Sequence, residues 1–313
     1  MRQAIKQHLV NTYRSFLAIW LLPGLCFAAQ GVKDASIVPF VTLNGTLMVV
    51  QVGINGNGPY DFLLDTGATS SCIDEALVEA LQLPHSTGAQ VASTTGTAFT
   101  GRVILDRVNF GSREIGPAFA LVRSLVTYKA FDTQIHGVLG QDVLSQLNYL
   151  IDNQHHRIEV DTDGFLLRNL TGEHIKMESV KTRVGGIETR DLFLTGLTDS
   201  STHSVRLLLD SGTTHVMLRA AVLKVTVPPS KSKWVSNDSG RFVPASSIRT
   251  RLTIGGTKLD SEAWIIDDLL DHLAIDGLLP TGAFNALYVA NQQSFVILNP
   301  QMRGSRQGRK LEN

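Results

Sequence analysis

One twelve-residue pattern occurs twice in this chain of 313 residues, and it limits the fold more than any other feature. FLLDTGATSSCI, built around Asp65, returns as LLLDSGTTHVML, built around Asp210, at an offset of 145. Two later blocks keep the same order. VNFGSREIGPAFALVRSL (108–125) is matched by LTIGGTKLDSEAWIIDDL (252–269) at an offset of 144, and IHGVLGQDVLSQL (135–147) by IDGLLPTGAFNAL (275–287) at an offset of 140. Order and spacing preserved over three blocks mark a duplicated unit of about 125 residues, not two unrelated domains.

The unit reads as strands. Between Ile37 and Asp65, short apolar and β-branched segments are separated by Asn44-Gly45 and by Asn55-Gly56-Asn57-Gly58, both favourable for tight hairpin turns. Helical signals are few. Asp74 can cap a helix that carries Leu77 and Leu81 and stops at Pro84, and Gln141 to Asn148 offers a second with Val143, Leu144 and Leu147 apolar. Polar sequence from Asp161 to about Gly186 lacks periodicity and is read as the boundary between the halves. The expected organisation is a leader over 1–29, a first half over 30–165, a second half over 166–300 and an unordered basic tail over 301–313. The fold class is all-β with a few short helices.

Composition excludes more than it assigns. Lys plus Arg and Asp plus Glu are balanced at 28 each, so no whole-chain field would attract a nucleic acid. Cys26 and Cys72 are too few for a disulfide scaffold or a Cys-rich zinc site. In the leader, Arg2, Lys6 and Arg14 precede the apolar run Phe16 to Leu22, Pro23-Gly24 breaks it, and Cys26-Phe27-Ala28 offers a cleavage site. That is the form of a secretory signal peptide. The run is only about half of the roughly 20 residues a membrane-spanning helix needs, which leaves an N-terminal anchor as the alternative to cleavage. Removal after Ala28 takes away three cations and Cys26. The expected product is slightly acidic, periplasmic or secreted, with Cys72 as a small core residue.

A triplet of Asp, Thr or Ser, and Gly is by itself a poor signal. Asp238-Ser239-Gly240 is a third copy, but Ser236-Asn237 precedes it and it reads as a turn. Asp65 and Asp210 are instead approached by Phe62-Leu63-Leu64 and Leu207-Leu208-Leu209. A buried strand there would deliver the carboxylate at its end, and the following Gly permits a sharp turn.

This constellation resembles the aspartic proteases, in a pepsin-like two-lobed arrangement of two retropepsin-like units such as exported bacterial aspartyl proteases have. The resemblance spans roughly residues 37 to 300. It implies a two-lobed acid-protease β-barrel fold with Asp65 and Asp210 as the catalytic pair. It implies further that Thr66 and Ser211 join the two loops through hydroxyl hydrogen bonds, and that Gly67 and Gly212 offer backbone N–H groups to the carboxylates. A flap falls at 87–101, with Thr94, Thr95 and Gly96 at the substrate, and Val138-Leu139-Gly140 matches the segment that supports the first active-site loop. The second half departs from the pattern, because Leu278-Leu279 is followed by Pro280. Proline fixes φ and has no N–H, so the second support cannot copy the first.

Two carboxyl groups within hydrogen-bond reach share one proton, so one can activate water while the other protonates a carbonyl. No cofactor and no metal is needed. The implied partner is an extended peptide or protein, met by a monomer with pseudo-twofold lobes, and nucleic acid is not implied. The alternative function is a catalytically weak or inactive protease-fold protein that binds extended peptides, for which Pro280 and the uneven lobes are the best support. Other candidates are weaker. Asp161-Thr162-Asp163-Gly164, with Asp267-Asp268 as a metal pair, resembles a dehalogenase-type phosphatase motif but lacks alternating strands and helices around it. His155-His156 has no third ligand nearby, His215 reads as packed or solvated beside Asp210, and Ser70 and Ser71 have no matched base.

Overall fold

A computed structural model describes residues 36–93, 96–125, 134–184, 187–198, 204–223, 233–236, 242–266 and 275–304. The expected leader, the flap residues Thr94 and Thr95, the third triplet, Asp267-Asp268 and the tail from residue 305 lie outside the described residues.

Local chemistry shapes the first three strands. Ser36–Leu43 buries Val38 and Phe40 between exposed neighbours, turns at Asn44-Gly45 and pairs with Leu47–Ile54. A second turn at Asn55-Gly56 leads into Asn57–Leu64. Both turns hold Asn and Gly at positive φ, 50° and 73° in the first, 51° and 84° in the second, which is why the sequence needs those two residues there. The chain then passes through the Asp65 loop to Ser71–Asp74 and the helix Glu75–Ala80, whose first turn is capped by Asp74 Oδ1 accepting the Ala76 N–H at 3.0 Å. A long hairpin follows, His85–Ser93 with Gly96–Leu105, and Ser93 opposite Gly96 at its end.

The second half repeats the pairings of the first. Gly137–Leu139 runs parallel to residues 62–64 and antiparallel to 72–73, and Gly277–Pro280 runs parallel to residues 207–210 and antiparallel to 217–218. Ser71–Asp74 lies parallel to residues 120–123 as Val216–Arg219 does to residues 263–266. Lys233–Ser236 and Phe242–Ile254 form a hairpin at the repeat position of the first half's long one.

A six-stranded antiparallel sheet joins the halves. Its order is residues 36–39, Arg157–Val160, Asn148–Asp152, Ala286–Ala290, Phe295–Leu298 and residues 174–176. Tyr149, Ile151, Leu287 and Val289 face the main core, while Leu150 and Tyr288 pack with Leu166, Leu170 and Ile297 on the other side. Both faces are covered, so residues 149–151 and 286–290 of the two central strands are apolar or aromatic in succession and do not alternate.

The region expected to be an aperiodic boundary is structured. It holds the helix Phe165–Asn169 and the strand His174–Val184, in which Ile175 and Met177 are buried between exposed His174, Lys176 and Glu178. The start of the expected tail is also paired, since Gln301–Met302 lies against Leu170–Thr171. The described residues are mostly strand, and their longest helix has six residues. The all-β expectation holds, though no closed barrel is defined among the described residues.

Candidate active site

Each repeated aspartate stands where a buried strand runs out. Asn57–Leu64 ends with Phe62 and Leu64 in the main core, and the next residue is Asp65. Ser204–Asp210 ends in the same way after Leu207 and Leu209. The parallel partners, Gly137–Leu139 and Gly277–Pro280, fix both strand ends from the side, and the Asp65 N–H donates to the Leu139 carbonyl at 3.0 Å.

The loops are locked to each other by four buried hydrogen bonds. The Thr66 N–H donates to Ser211 Oγ (3.0 Å) and the Ser211 N–H to Thr66 Oγ1 (3.0 Å). Thr66 Oγ1 in turn donates to the Leu209 carbonyl (2.8 Å), and Ser211 Oγ to the Leu64 carbonyl (2.7 Å). Each hydroxyl thus accepts from one loop and donates to a residue of the opposite half beside an aspartate. This is the reciprocal arrangement that the resemblance implied for Thr66 and Ser211.

The carboxyl groups meet across this junction. Asp65 Oδ1 accepts the N–H groups of Gly67 (2.9 Å) and Ala68 (3.0 Å), and Asp210 Oδ1 accepts that of Gly212 (2.7 Å). The glycines face the opposite carboxyl. A Cβ on Gly67 would lie 2.6–2.9 Å from the carboxyl atoms of Asp210, and one on Gly212 would lie 2.7–2.9 Å from those of Asp65. No side chain fits at either position.

Electrostatics set the two apart. Asp210 is buried and Asp65 partly exposed. Burial, then the charge of Asp65, then a hydrogen bond to the Asp65 side chain push Asp210 well above the ordinary carboxyl range, against the backbone N–H groups of Gly212 and Thr213. The two carboxyl groups thus stand close together, and the charge of Asp65 disfavours a second charge on Asp210.

Gly140 packs close behind the first loop: a Cβ there would lie 2.7–2.9 Å from backbone atoms of Ser70 and Ala68. Gln141 extends the support, with its N–H donating to the Ala68 carbonyl (2.8 Å) and its Nε2 to the Thr66 carbonyl (2.7 Å). The departure at Pro280 is compensated. In the first half the Gly140 N–H donates to Ser71 Oγ at 3.0 Å. Pro280 has no N–H, but the residue at the repeat position of Ser71 is Val216, which has no hydroxyl to receive one. Donor and acceptor are lost together.

Sequence reasoning missed two asparagines. Asn153 Nδ2 donates to the carbonyls of Thr281 (3.0 Å) and Phe284 (2.8 Å), and Asn291 Nδ2 to those of Leu144 (2.8 Å) and Leu147 (2.6 Å). Each follows a central strand of the joining sheet and satisfies the support element of the opposite half. Their equivalent places after matched strands were the available signal.

The remaining candidates go elsewhere. Gly96 begins the second strand of the long hairpin, and Thr94 and Thr95 lie outside the described residues. Asp161 caps the helix Phe165–Asn169 by accepting the N–H groups of Leu166 and Leu167 (3.1 and 3.0 Å) and also accepts the Tyr288 hydroxyl (2.7 Å). His155 pairs with Asp152 at 2.7 Å. His215 stacks on Trp264 with ring centroids 4.4 Å apart. Ser71 is buried with its hydroxyl on Asp142, not on an imidazole. Cys72 is buried among Leu63, Leu121 and Val138. Among the described residues no group of three or more His, Cys, Asp or Glu side chains could hold a metal.

The aspartyl protease family model matches residues 50–143, a stretch that includes Asp65 and Gly140 but not Asp210. No curated protein matches the chain. The family match supports an aspartyl protease family, and with it a hydrolase of the peptidase kind whose substrates are peptides.

Proposed function

We propose that the chain is an aspartic endopeptidase in which Asp65 and Asp210, one from each repeat, activate a water molecule against a peptide carbonyl. The observation that carries this reading is the mutual contact of two carboxyl groups from equivalent loops, with Asp210 pushed towards its protonated form and Asp65 held by two N–H donors. In the working state Asp65 is the ionised member and takes a proton from water. Asp210 donates its proton to the substrate carbonyl oxygen, and a tetrahedral diol forms without a covalent enzyme intermediate. Return of a proton to the amide nitrogen releases the two products. Thr66 and Ser211 hold the carboxyl groups in register, and Gly67 and Gly212 leave room for them to touch.

The long hairpin is the flap in this reading, with Thr94, Thr95 and Gly96 as its substrate-binding residues, and it binds the substrate as an added strand. Export through residues 1–29, action outside the cytoplasm as a monomer, and lobes that divide near residue 165 belong to the same proposal. Peptide binding without hydrolysis had Pro280 as its main support, and the matching absence of a hydroxyl at Val216 weakens that support.

Hydrolysis of a peptide library by the wild-type chain beside Asp65→Asn tests the proposal. Cleavage by the wild type that falls at least ~10²-fold in the variant, the scale of general acid–base assistance, is the expected result. Equal rates for the two proteins would sink it.

A further inference from the structure

Asp142 is a carboxyl group that the hydrolytic chemistry does not use. It stands in the short helix Gln141–Leu144 with no exposed surface. Its Oδ1 accepts the Ser71 N–H at 2.8 Å and the Ser71 hydroxyl at 2.6 Å, while its Oδ2 is buried with no hydrogen-bond partner. An ionisable group so placed is expensive to keep, because burial disfavours the charge and one oxygen has lost its water. Burial does push this carboxyl up to about 6.

Its contacts lead to the site. Ser71 Oγ, while donating to Asp142, accepts the Gly140 N–H at 3.0 Å. The residue before Gly140 is Leu139, whose carbonyl accepts the Asp65 N–H at 3.0 Å. A continuous path of hydrogen bonds and one peptide link therefore runs from Asp142 to the backbone of Asp65. The second half has no such path, since Val216, Gly282 and Pro280 stand at the repeat positions of Ser71, Asp142 and Gly140. Gly282 is exposed, with open space where a side chain would begin. One half thus carries a buried polar device that the other does without, and it is the half whose aspartate is the more exposed of the pair.

We propose that Asp142 is a positioning residue for Asp65, acting through Ser71 and Gly140 to hold the first loop at the height where its carboxyl meets that of Asp210. The proposal rests on the reading of Asp65 and Asp210 as a working pair. What Asp142 supplies is an acceptor of fixed geometry for two donors, and an amide oxygen can supply the same. Displacing a reacting group by about 1 Å can lower a rate by ~10²-fold without changing how substrate binds.

The test compares the wild type with Asp142→Ala, Asp142→Asn and Ser71→Ala in two measurements. The first is kcat and KM on a cleaved peptide. Asp142→Ala is expected to lower kcat by ~10–100-fold with KM within about 3-fold, Asp142→Asn to stay within about 3-fold of wild type in both, and Ser71→Ala to lower kcat alone by several fold. The second needs no substrate: carbon NMR of the labelled carboxyl groups follows the titration of the Asp65–Asp210 pair. Asp142→Ala should move it by about one pKa unit, as a changed separation would, and Asp142→Asn should not.

An unchanged kcat per folded molecule in Asp142→Ala, a change confined to KM, or an Asp142→Asn variant as poor as the alanine would each overturn the proposal. If Asp142→Ala does not fold, Ser71→Ala carries the test, and a wild-type kcat with an unmoved pair titration would overturn it. If the wild type cleaves no peptide while the pair titration still moves in Asp142→Ala and not in Asp142→Asn, positioning stands and the hydrolytic reading fails.

Discussion

Replacing Asp142 with Asn should change how the stability of the fold depends on pH, and the size of the change follows from the burial of one carboxyl group. Burial raises Asp142 from 3.8 to about 6. The folded chain therefore holds this proton more tightly than the unfolded chain does. The stabilisation from proton uptake is full below about pH 3.8 and is lost as pH rises through about 6. At about 1.4 kcal/mol per unit, that shift corresponds to about 3 kcal/mol lost across the window. Asparagine keeps the acceptor for the Ser71 N–H and hydroxyl but does not titrate. Urea unfolding of both proteins at intervals from pH 3.5 to 7.5 gives the stability of each, and their difference removes the contribution of every other group, the raised Asp210 included. The variant should gain about 3 kcal/mol relative to wild type between the two ends of that range, with the change centred between about pH 4 and 6. A difference that stays flat with pH would refute the argument, because it would mean that Asp142 has the same proton affinity folded and unfolded.

Two further substitutions probe the junction. Ser211→Ala leaves the Thr66 N–H without its acceptor and the Leu64 carbonyl without its donor, both buried, so chemical denaturation should show a loss of about 1–3 kcal/mol for each orphaned group. Stability equal to wild type would show that the junction is not held by these bonds. Gly212→Ala puts a methyl group 2.7–2.9 Å from the Asp65 carboxyl, so that carboxyl has to move. Peptide hydrolysis should fall by ~10²-fold in a chain that still folds, and a wild-type rate would mean that the carboxyl has room the structure does not give it.

Much of this arrangement is legible in the sequence alone, where the chemistry is local. Asn44-Gly45 and Asn55-Gly56 mark hairpins because the backbone demands positive φ there. Asp74 marks a helix start because its side chain caps its own neighbour. Asp65 and Asp210 were legible through the repeat, which ties two distant segments without any knowledge of contacts. What escaped notice depends on partners far along the chain. Asp142 looked like one polar residue in a short helix, since its meaning lies in Ser71, 71 residues away. Asn153 and Asn291 act across 128 to 147 residues. The strand His174–Val184 is hard to read in the sequence, because the alternation of Ile175 and Met177 with polar residues is short and its partner, Phe295–Leu298, is more than 100 residues away. Pro280 is legible as a departure, whereas the change that matches it is at Val216, 64 residues earlier.

The central claim is that Asp65 and Asp210 work as one proton-sharing unit, and a double-substitution cycle tests it most directly. Peptide hydrolysis is measured for the wild type, Asp65→Asn, Asp210→Asn and the variant carrying both. Groups that act as a unit are strongly non-additive, so each single substitution should lower kcat by at least ~10²-fold and the second should take away little more. A single variant that keeps the wild-type rate, or two losses that multiply in the double variant, would contradict the account.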